Sequence, residues 1–322
     1  MNAQNFFKNK TILITGGTGS LGSELTKYFL KNFKIKKIIL FSRDEQKHFH
    51  LEKELGNQKI RFLIGDIRDL RRITLALKEV DYVIHAAAQK HVLLSEYNPQ
   101  ECINTNILGT QNIIEACITQ KVKKCILVST DKSVNPINLY GATKLVAEKI
   151  TLSGNNLSGK NGTKFGVVRY GNVLGSKGSI LPFFSKLNKE GKKFPITHED
   201  MTRFWISYKE SIELVISSLI NSRRGDIFIP ILNSIKITDF VKIINPKAKT
   251  HIIGIKKGEK IHEELITIEE SEYAKKFKNY YIINYDLNKK NSRTFNYTSE
   301  HNLFNKKNPI KSSYIKIIKN FL

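Results

Sequence analysis

Cysteine is scarce in this chain of 322 residues, and no apolar run approaches the ~20 residues needed to cross a bilayer. Cys102, Cys117 and Cys125 form no CxxC pair and are odd in number, so reduced, half-buried thiols are expected, not disulfides or a metal site. The eight histidines make no metal cluster. His48 and His50 stand two apart in a polar helical segment, so their rings point to different faces and read as solvated surface. Met1 to Lys10 is polar and leads straight into a short apolar strand, unlike a signal peptide; a cytoplasmic protein is expected. Internal repeats are absent. Acidic residues are also few, 29 against 53 Lys and Arg, for a net charge of +24. The lysines are spread along the whole chain without an aromatic-interleaved basic tract, zinc-finger spacing or RNP motif, so nucleic acid is not an expected partner. The charge serves equally to attract polyanionic nucleotides.

What is present is an alternation. Short apolar runs at Thr11–Ile14, Lys37–Phe41, Ile60–Ile64, Tyr82–His85, Cys125–Val128 and Phe165–Arg169 read as strands, with helix-spaced apolar residues between them. Strands apolar on both faces and separated by helices predict an α/β fold with a doubly wound parallel (Rossmann) sheet. Ser153 to Thr163 is rich in Gly, Ser and Asn and is expected to be a loop. After about Asn172 the alternation breaks down, which places a cofactor domain over 1–172 and mainly a smaller α/β substrate-binding lobe over 173–322, with segments returning to the first domain. The stretch from Asp286 to Leu322 is Lys/Asn-rich and hard to assign.

Thr15 to Gly22, TGGTGSLG, joins the first strand to the first helix. Gly16 suits a tight turn, Gly19 lets backbone approach a pyrophosphate, and Gly22 lets helix pack on sheet. Thr18, Ser20 and Leu21 stand at the helix N-terminus, whose free N–H groups favour an anion. A Gly-rich turn without a ligand is the bland alternative, but strand, turn and helix fall in the required order. The second strand runs into Ser42-Arg43-Asp44. A hydroxyl and a guanidinium suit a ribose 2′-phosphate, so NADP is favoured over NAD, although Asp44 could cap the next helix or bind a ribose. Asp66 and Ile67 would suit the adenine edge, and Ala86, Ala87 and Ala88 would let the cofactor pass close by.

Tyr140 and Lys144 are four apart on a predicted helix and share a face. A tyrosine is a poor base unless a cation stabilises its phenolate, which Lys144 is expected to do. Thr130, ending the fifth strand, is placed to bond the same substrate hydroxyl.

These segments resemble extended short-chain dehydrogenase/reductases. Ser129 to Lys132, Asn135 to Lys144, Arg169 to Val173, Met201 to Ile206 and Gly258 to Glu263 further resemble the inverting UDP-N-acetylglucosamine 4,6-dehydratases, enzymes that open the pseudaminic acid pathway. The resemblance runs to about Tyr281, beyond which only Phe295 to Ser299 is similar. It implies NADP as cofactor, UDP-N-acetylglucosamine as substrate and a homo-oligomer. It also implies a reaction: C4 is oxidised, the acidified C5 proton is removed, water leaves C6 and hydride returns to C6, giving UDP-2-acetamido-2,6-dideoxy-β-L-arabino-hexos-4-ulose. Lys132 would be the C5 base, with a lowered pKa, and Asp131 the acid, with a pKa raised by burial. Lys90, Asn172, Ser179, Pro182, Arg203 and Lys260 would meet the diphosphate, sugar or uracil.

Retaining hexose dehydratases carry Asp-Glu where this chain has Asp131-Lys132, 4-epimerases lack the pair, and membrane-bound dehydratases add a spanning region and often Met at the Tyr140 position. A retaining dehydratase or 4-epimerase is therefore the nearest alternative. A non-catalytic NADP-binding regulator is the alternative of another class, to be recognised by tight NADP binding without turnover.

Overall fold

Six parallel strands alternate with helices in the first half of the chain: β1 Thr11–Thr15, β2 Lys37–Ser42, β3 Ile60–Ile64, β4 Tyr82–His85, β5 Lys124–Thr130 and β6 Lys164–Tyr170. They come from a computed structural model that describes residues 2–286, 290–305 and 309–322. Every residue of β1 is buried, as a strand covered on both faces requires, whereas the edge strand β3 is only partly covered. The chain steps outward from β1 to β2 to β3, then returns to place β4 on the other side of β1. This reversal opens a crevice at the carboxyl ends of β1 and β4, where ligands bind in doubly wound sheets.

Later elements are β7 Asn172–Val173, β8 Phe194–Ile196, β9 Thr202–Ile206, β10 Ile227–Pro230, β11 Ser234–Lys236, β12 Thr250–Ile252, β13 Glu264–Ile266, β14 Ala274–Lys276, β15 Tyr280–Ile283 and β16 Tyr297–Thr298. Strands β10, β15 and β14 extend the main sheet, in the order β14-β15-β10-β6-β5-β4-β1-β2-β3; β10 is parallel to β6, and the last two are antiparallel additions. Small sheets β11-β9-β7, β12-β8 and β13-β16 lie outside it. A separate apolar cluster includes Leu174, Phe184, Trp205, Phe240 and Tyr314, with Trp205 stacked on Phe240 at 4.5 Å. The hard-to-assign tail contributes to this cluster. Its helix Ser312–Lys319 buries Tyr314 and Ile318, and the Tyr314 hydroxyl donates to Glu210 Oε2 at 2.7 Å.

The expected loop at Ser153 to Thr163 is shorter than its composition suggests, because the helix Leu139–Leu157 runs through its first part. Tertiary packing overrides the weak helix propensity of Gly154 and Asn155. A Cβ on Gly154 would stand 3.0–3.2 Å from Ile114 and Phe165, and the Asn155 side chain bonds both backbone groups of Phe165. The three cysteines are free thiols, but fully buried, not half-buried as expected.

Candidate active site

The first turn after β1 is tight in every direction. Gly16 takes a left-handed backbone, φ +65°, and a Cβ there would stand 3.0 Å from the Ala87 backbone. A Cβ on Gly22 would meet the Gly16 and Gly17 carbonyl oxygens at 2.6 Å, so only glycine lets the helix Ser20–Asn32 start this close to the sheet. The turn forms one wall of a cavity of about 910 Å³. Gly16, Thr18, Gly19, Ser20, Leu21 and Gly22 line it together with Ser42, Arg43, Asp66, Ile67, Ala86, Ala87, Ala88 and Lys90. Thr130, Tyr140 and Lys144 line the same cavity. Its size, its glycine turn and the helix N-terminus fit a dinucleotide.

At the end of β2, Ser42 Oγ bonds Thr18 Oγ1 at 2.8 Å and His48 Nε2 at 2.9 Å. His48 is therefore not solvated surface: its ring is buried behind Ser42, and burial lowers its pKa. The helical turn from Asp44 brings it back under the strand end, a relation that local polarity does not reveal. Asp44 caps that helix, accepting from Lys47 N, which settles one of its two open roles as structural. Arg43 is half exposed and 3.7 Å from Asp66 Oδ2. Arg68 Nε also donates to Asp66 Oδ2 at 2.8 Å, so that carboxylate is already held from one side.

Strand β5 ends at Thr130 and turns through a 3-10 segment, Asp131–Ser133, before the helix Leu139–Leu157. Asn138 caps this helix by accepting from Gly141 N at 2.7 Å. Gly141 packs so tightly under the turn that a Cβ would stand 2.2 Å from the Lys132 carbonyl oxygen. The helix thus fixes Tyr140 and Lys144 directly below the Asp131-Lys132 turn. Thr130 Oγ1 donates to Asp131 Oδ1 at 3.0 Å, and Lys132 Nζ donates to the same oxygen at 3.0 Å.

The electrostatics correct two expectations. Burial pushes the Tyr140 phenol up to about 12, and the cation that most opposes this is Lys132, not Lys144. Burial pulls Lys144 down to about 8; its Nζ donates to the Val128 carbonyl at 2.7 Å. Burial would also lower Lys132, but Asp131 and Glu263 outweigh it and hold the amine above the ordinary lysine range. Lys132 therefore rests as an ammonium, contrary to the expected lowering. Asp131 does behave as expected: burial raises its carboxyl despite Lys132.

Asp131, Lys132, Asn172, Ser179, Pro182, Arg203 and Lys260 do not line the large cavity. Five of these seven meet behind Thr130. Lys132 Nζ lies 3.0 Å from Asp131 Oδ1 and 3.5 Å from Asn172 Oδ1. Arg203 and Lys260 join through Glu263, at 3.9 Å each. Arg203 also donates to the carbonyls of Thr202, Lys260 and Ile261, and Lys260 donates to Val134 O. Ser179 stands at the start of the helix Ile180–Lys189 with a buried hydroxyl that has no hydrogen-bond partner among the described residues, and Pro182 lies in its first turn; neither joins this group.

Residues 12–285 match the family of polysaccharide biosynthesis proteins. The chain belongs to that family. An inverting UDP-N-acetylglucosamine 4,6-dehydratase from Campylobacter jejuni is 52% identical over 278 residues, 86% of this chain and 83% of the relative. A UDP-glucose 4-epimerase from Rickettsia bellii is 44% identical over 287 residues, 87% of this chain and 84% of the relative. Among solved structures, Pen from Bacillus thuringiensis superposes with a TM-score of 0.90 at 38% identity, covering 98% of each chain. These findings agree with the sequence resemblance to extended short-chain dehydrogenase/reductases and with the Rossmann sheet.

Two groups of this family member escape sequence reasoning. Glu263, although inside a quoted segment, carries no signal of its partnership with Lys132. A second network lies under the turn: Ser129 and Ser133 donate to Glu148 Oε1, and the fully buried Arg169 bridges Glu148 at 2.7 Å and Glu270 at 2.8 Å. Glu148 sits four residues beyond Lys144 on the same helix, so helical spacing was the one available clue.

Proposed function

We propose that this chain is an NADP-dependent UDP-N-acetylglucosamine 4,6-dehydratase that inverts C5 and forms UDP-2-acetamido-2,6-dideoxy-β-L-arabino-hexos-4-ulose. The observation that carries the reading is the Asp131-Lys132 pair, hydrogen-bonded to Thr130 at the end of the strand beside Tyr140 and Lys144. The 52% identical relative bearing the same activity supports it.

Bound along the glycine turn, NADP supplies the oxidant at C4 and the hydride returned to C6. The protein supplies the proton chemistry. Tyr140, once ionised with the help of Lys132 and its hydrogen bond with Thr130, receives the C4 hydroxyl proton. Lys144, whose Nζ donates to the Val128 carbonyl, would hold the nicotinamide end. Lys132, after shedding the proton of its resting ammonium, takes the C5 proton, and Asp131, whose carboxyl burial raises, protonates the departing C6 hydroxyl, so that water leaves. Ser42 and Arg43 favour a 2′-phosphate, since β2 itself ends on a serine and the nearby carboxylate of Asp44 is engaged in capping the next helix. Lys90, Asn172, Ser179, Pro182, Arg203 and Lys260 form the substrate side, with residues 1–172 as the cofactor domain and 173–322 mainly the substrate lobe. The reading extends to a cytoplasmic homo-oligomer at the entry to pseudaminic acid synthesis. Among the described residues no helix is long and apolar enough to cross a membrane, and Leu94 and Tyr97 are exposed apolar groups for a subunit contact, which sedimentation would test.

Incubation with UDP-N-acetylglucosamine in deuterium oxide, read by NMR, tests the activity. The expected product is a 4-keto-6-deoxy sugar nucleotide with deuterium at an inverted C5. The epimerase relative favours one second reading, a 4-epimerase, and recovery of only the C4 epimer would establish that instead.

A further inference from the structure

We infer that Glu263 is a positioning residue for the C5 proton transfer, clamping the Lys132 amine between its own carboxylate and that of Asp131. The inference rests on the dehydratase reading for its consequence, though not for its geometry. Lys132 Nζ stands 3.1 Å from Glu263 Oε1, 3.0 Å from Asp131 Oδ1 and 3.5 Å from Asn172 Oδ1. Three acceptors match the three N–H donors of an ammonium; a neutral amine has only two. Glu263 is 2% exposed and comes from the segment just before β13, so it ties the substrate lobe to the turn after β5. Its backbone is itself fixed, with Glu263 N donating to Ser299 Oγ at 2.8 Å.

The other groups around the amine explain why Glu263 keeps its charge. Tyr140 faces Lys132 from the helix below, and Arg203 from β9 and Lys260 from the preceding loop face it from the lobe. Burial would raise Glu263, but Lys132, Arg203 and Lys260 together hold it below its usual range. At Asp131 burial comes first and the Glu263 carboxylate adds to it, so this carboxyl is raised despite Lys132. Two oxygens, Asp131 Oδ2 and Glu263 Oε2, are buried without hydrogen bonds among the described residues. Buried polar atoms of this kind call for a partner, and a sugar hydroxyl or the proton shed by Lys132 would provide one. The clamp therefore does two things: it aims the amine, and it sets how readily the amine gives up a proton.

The test reads the amine directly. Trace labelling with acetic anhydride at pH 8, quantified by peptide mass spectrometry and normalised to the exposed Lys209, reports the neutral fraction of Lys132. Glu263→Gln removes an anion from beside an ammonium, which favours the neutral amine; Lys132 labelling should rise about tenfold, one unit of pKa. Glu263→Asp keeps the charge on a shorter stem and should give an intermediate rise. In C5 deuterium exchange, the Glu263→Gln pH profile should move to lower pH on both limbs, because Asp131 also loses an anionic neighbour. Its plateau should fall through poorer aim, and Glu263→Asp should partly restore it. Unchanged Lys132 labelling in a folded variant overturns the clamp. If Glu263→Gln does not fold, Glu263→Asp alone decides, and no change in its labelling overturns the inference. Labelling that shifts in a protein without turnover of UDP-N-acetylglucosamine would instead keep the clamp and overturn the proposed activity.

Discussion

The Lys144 side-chain nitrogen donates to the Val128 carbonyl oxygen at 2.7 Å, in a place where burial holds its pKa down to about 8. The folded protein thus resists the charge that the unfolded chain accepts freely. A base whose folded pKa lies below its unfolded value of 10.5 carries a penalty. This penalty is full below about pH 8, fades between there and pH 10.5, and is absent above. Lys144→Met should therefore stabilise the cofactor-free protein by about 2–3 kcal/mol at pH 7, less what the lost hydrogen bond contributed. The gain should vanish near pH 10.5 and be accompanied by loss of turnover. Thermal melts across pH, beside activity assays, check both halves; a destabilised variant at pH 7 would show that the lysine contributes to the resting fold.

Lys132 supplies the contrasting case, a lysine whose removal should weaken the fold. Two buried carboxylates share its ammonium, and truncation leaves both without it. Lys132→Ala should cost about 3 kcal/mol, the low end for breaking a buried pair, because the side chain is one-fifth exposed. C5 exchange should disappear while nicotinamide-nucleotide binding by the folded fraction stays nearly unchanged. Urea unfolding and a binding titration separate the two effects, and surviving C5 exchange would exclude Lys132 as the base.

Legibility in the sequence followed the range of the interactions. The strands and the glycine turn were readable because period and spacing encode them locally, and Thr130, Tyr140 and Lys144 line the same cavity as that turn. Charge states were not. The lowered pKa expected for Lys132 is overturned by Asp131, its neighbour in the chain, together with Glu263, which lies 131 residues away and leaves no local sign. His48 was misread for a related reason: its helix is polar, yet one turn carries the ring under Ser42. Gly154 and Asn155 look like loop residues until Ile114 and Phe165 close around them.

Cofactor choice should reside mainly in Arg43. Its guanidinium is half exposed at the cavity wall, 3.7 Å from Asp66, on the side where the proposed NADP would present its 2′-phosphate. A charge-assisted hydrogen bond contributes about 1.5–3 kcal/mol, so Arg43→Ala should reduce the NADP over NAD preference by roughly ten- to a hundredfold. Binding of NAD itself should change little. Dissociation constants for the two nucleotides, measured side by side at fixed ionic strength, give the ratio; an unaltered ratio would assign the preference elsewhere.

Arg169 is the member of the second network with most to lose. It is 1% exposed and donates to Glu148 and Glu270 at once, and Glu148 in turn accepts from Ser129 and Ser133 on either side of the Asp131-Lys132 turn. Removing the cation strands the buried Glu148 and the partly buried Glu270, and Arg169→Met should cost about 3–5 kcal/mol. Glu148→Gln keeps the shape but weakens the acceptor for both serines, so it should lower turnover more than stability by loosening the Thr130–Lys132 turn. Urea unfolding of both variants, with kcat compared at equal folded fraction, distinguishes the two. Equal losses of stability in the two variants, with kcat per folded molecule intact, would reduce the network to a structural brace with no hold on the Asp131-Lys132 turn.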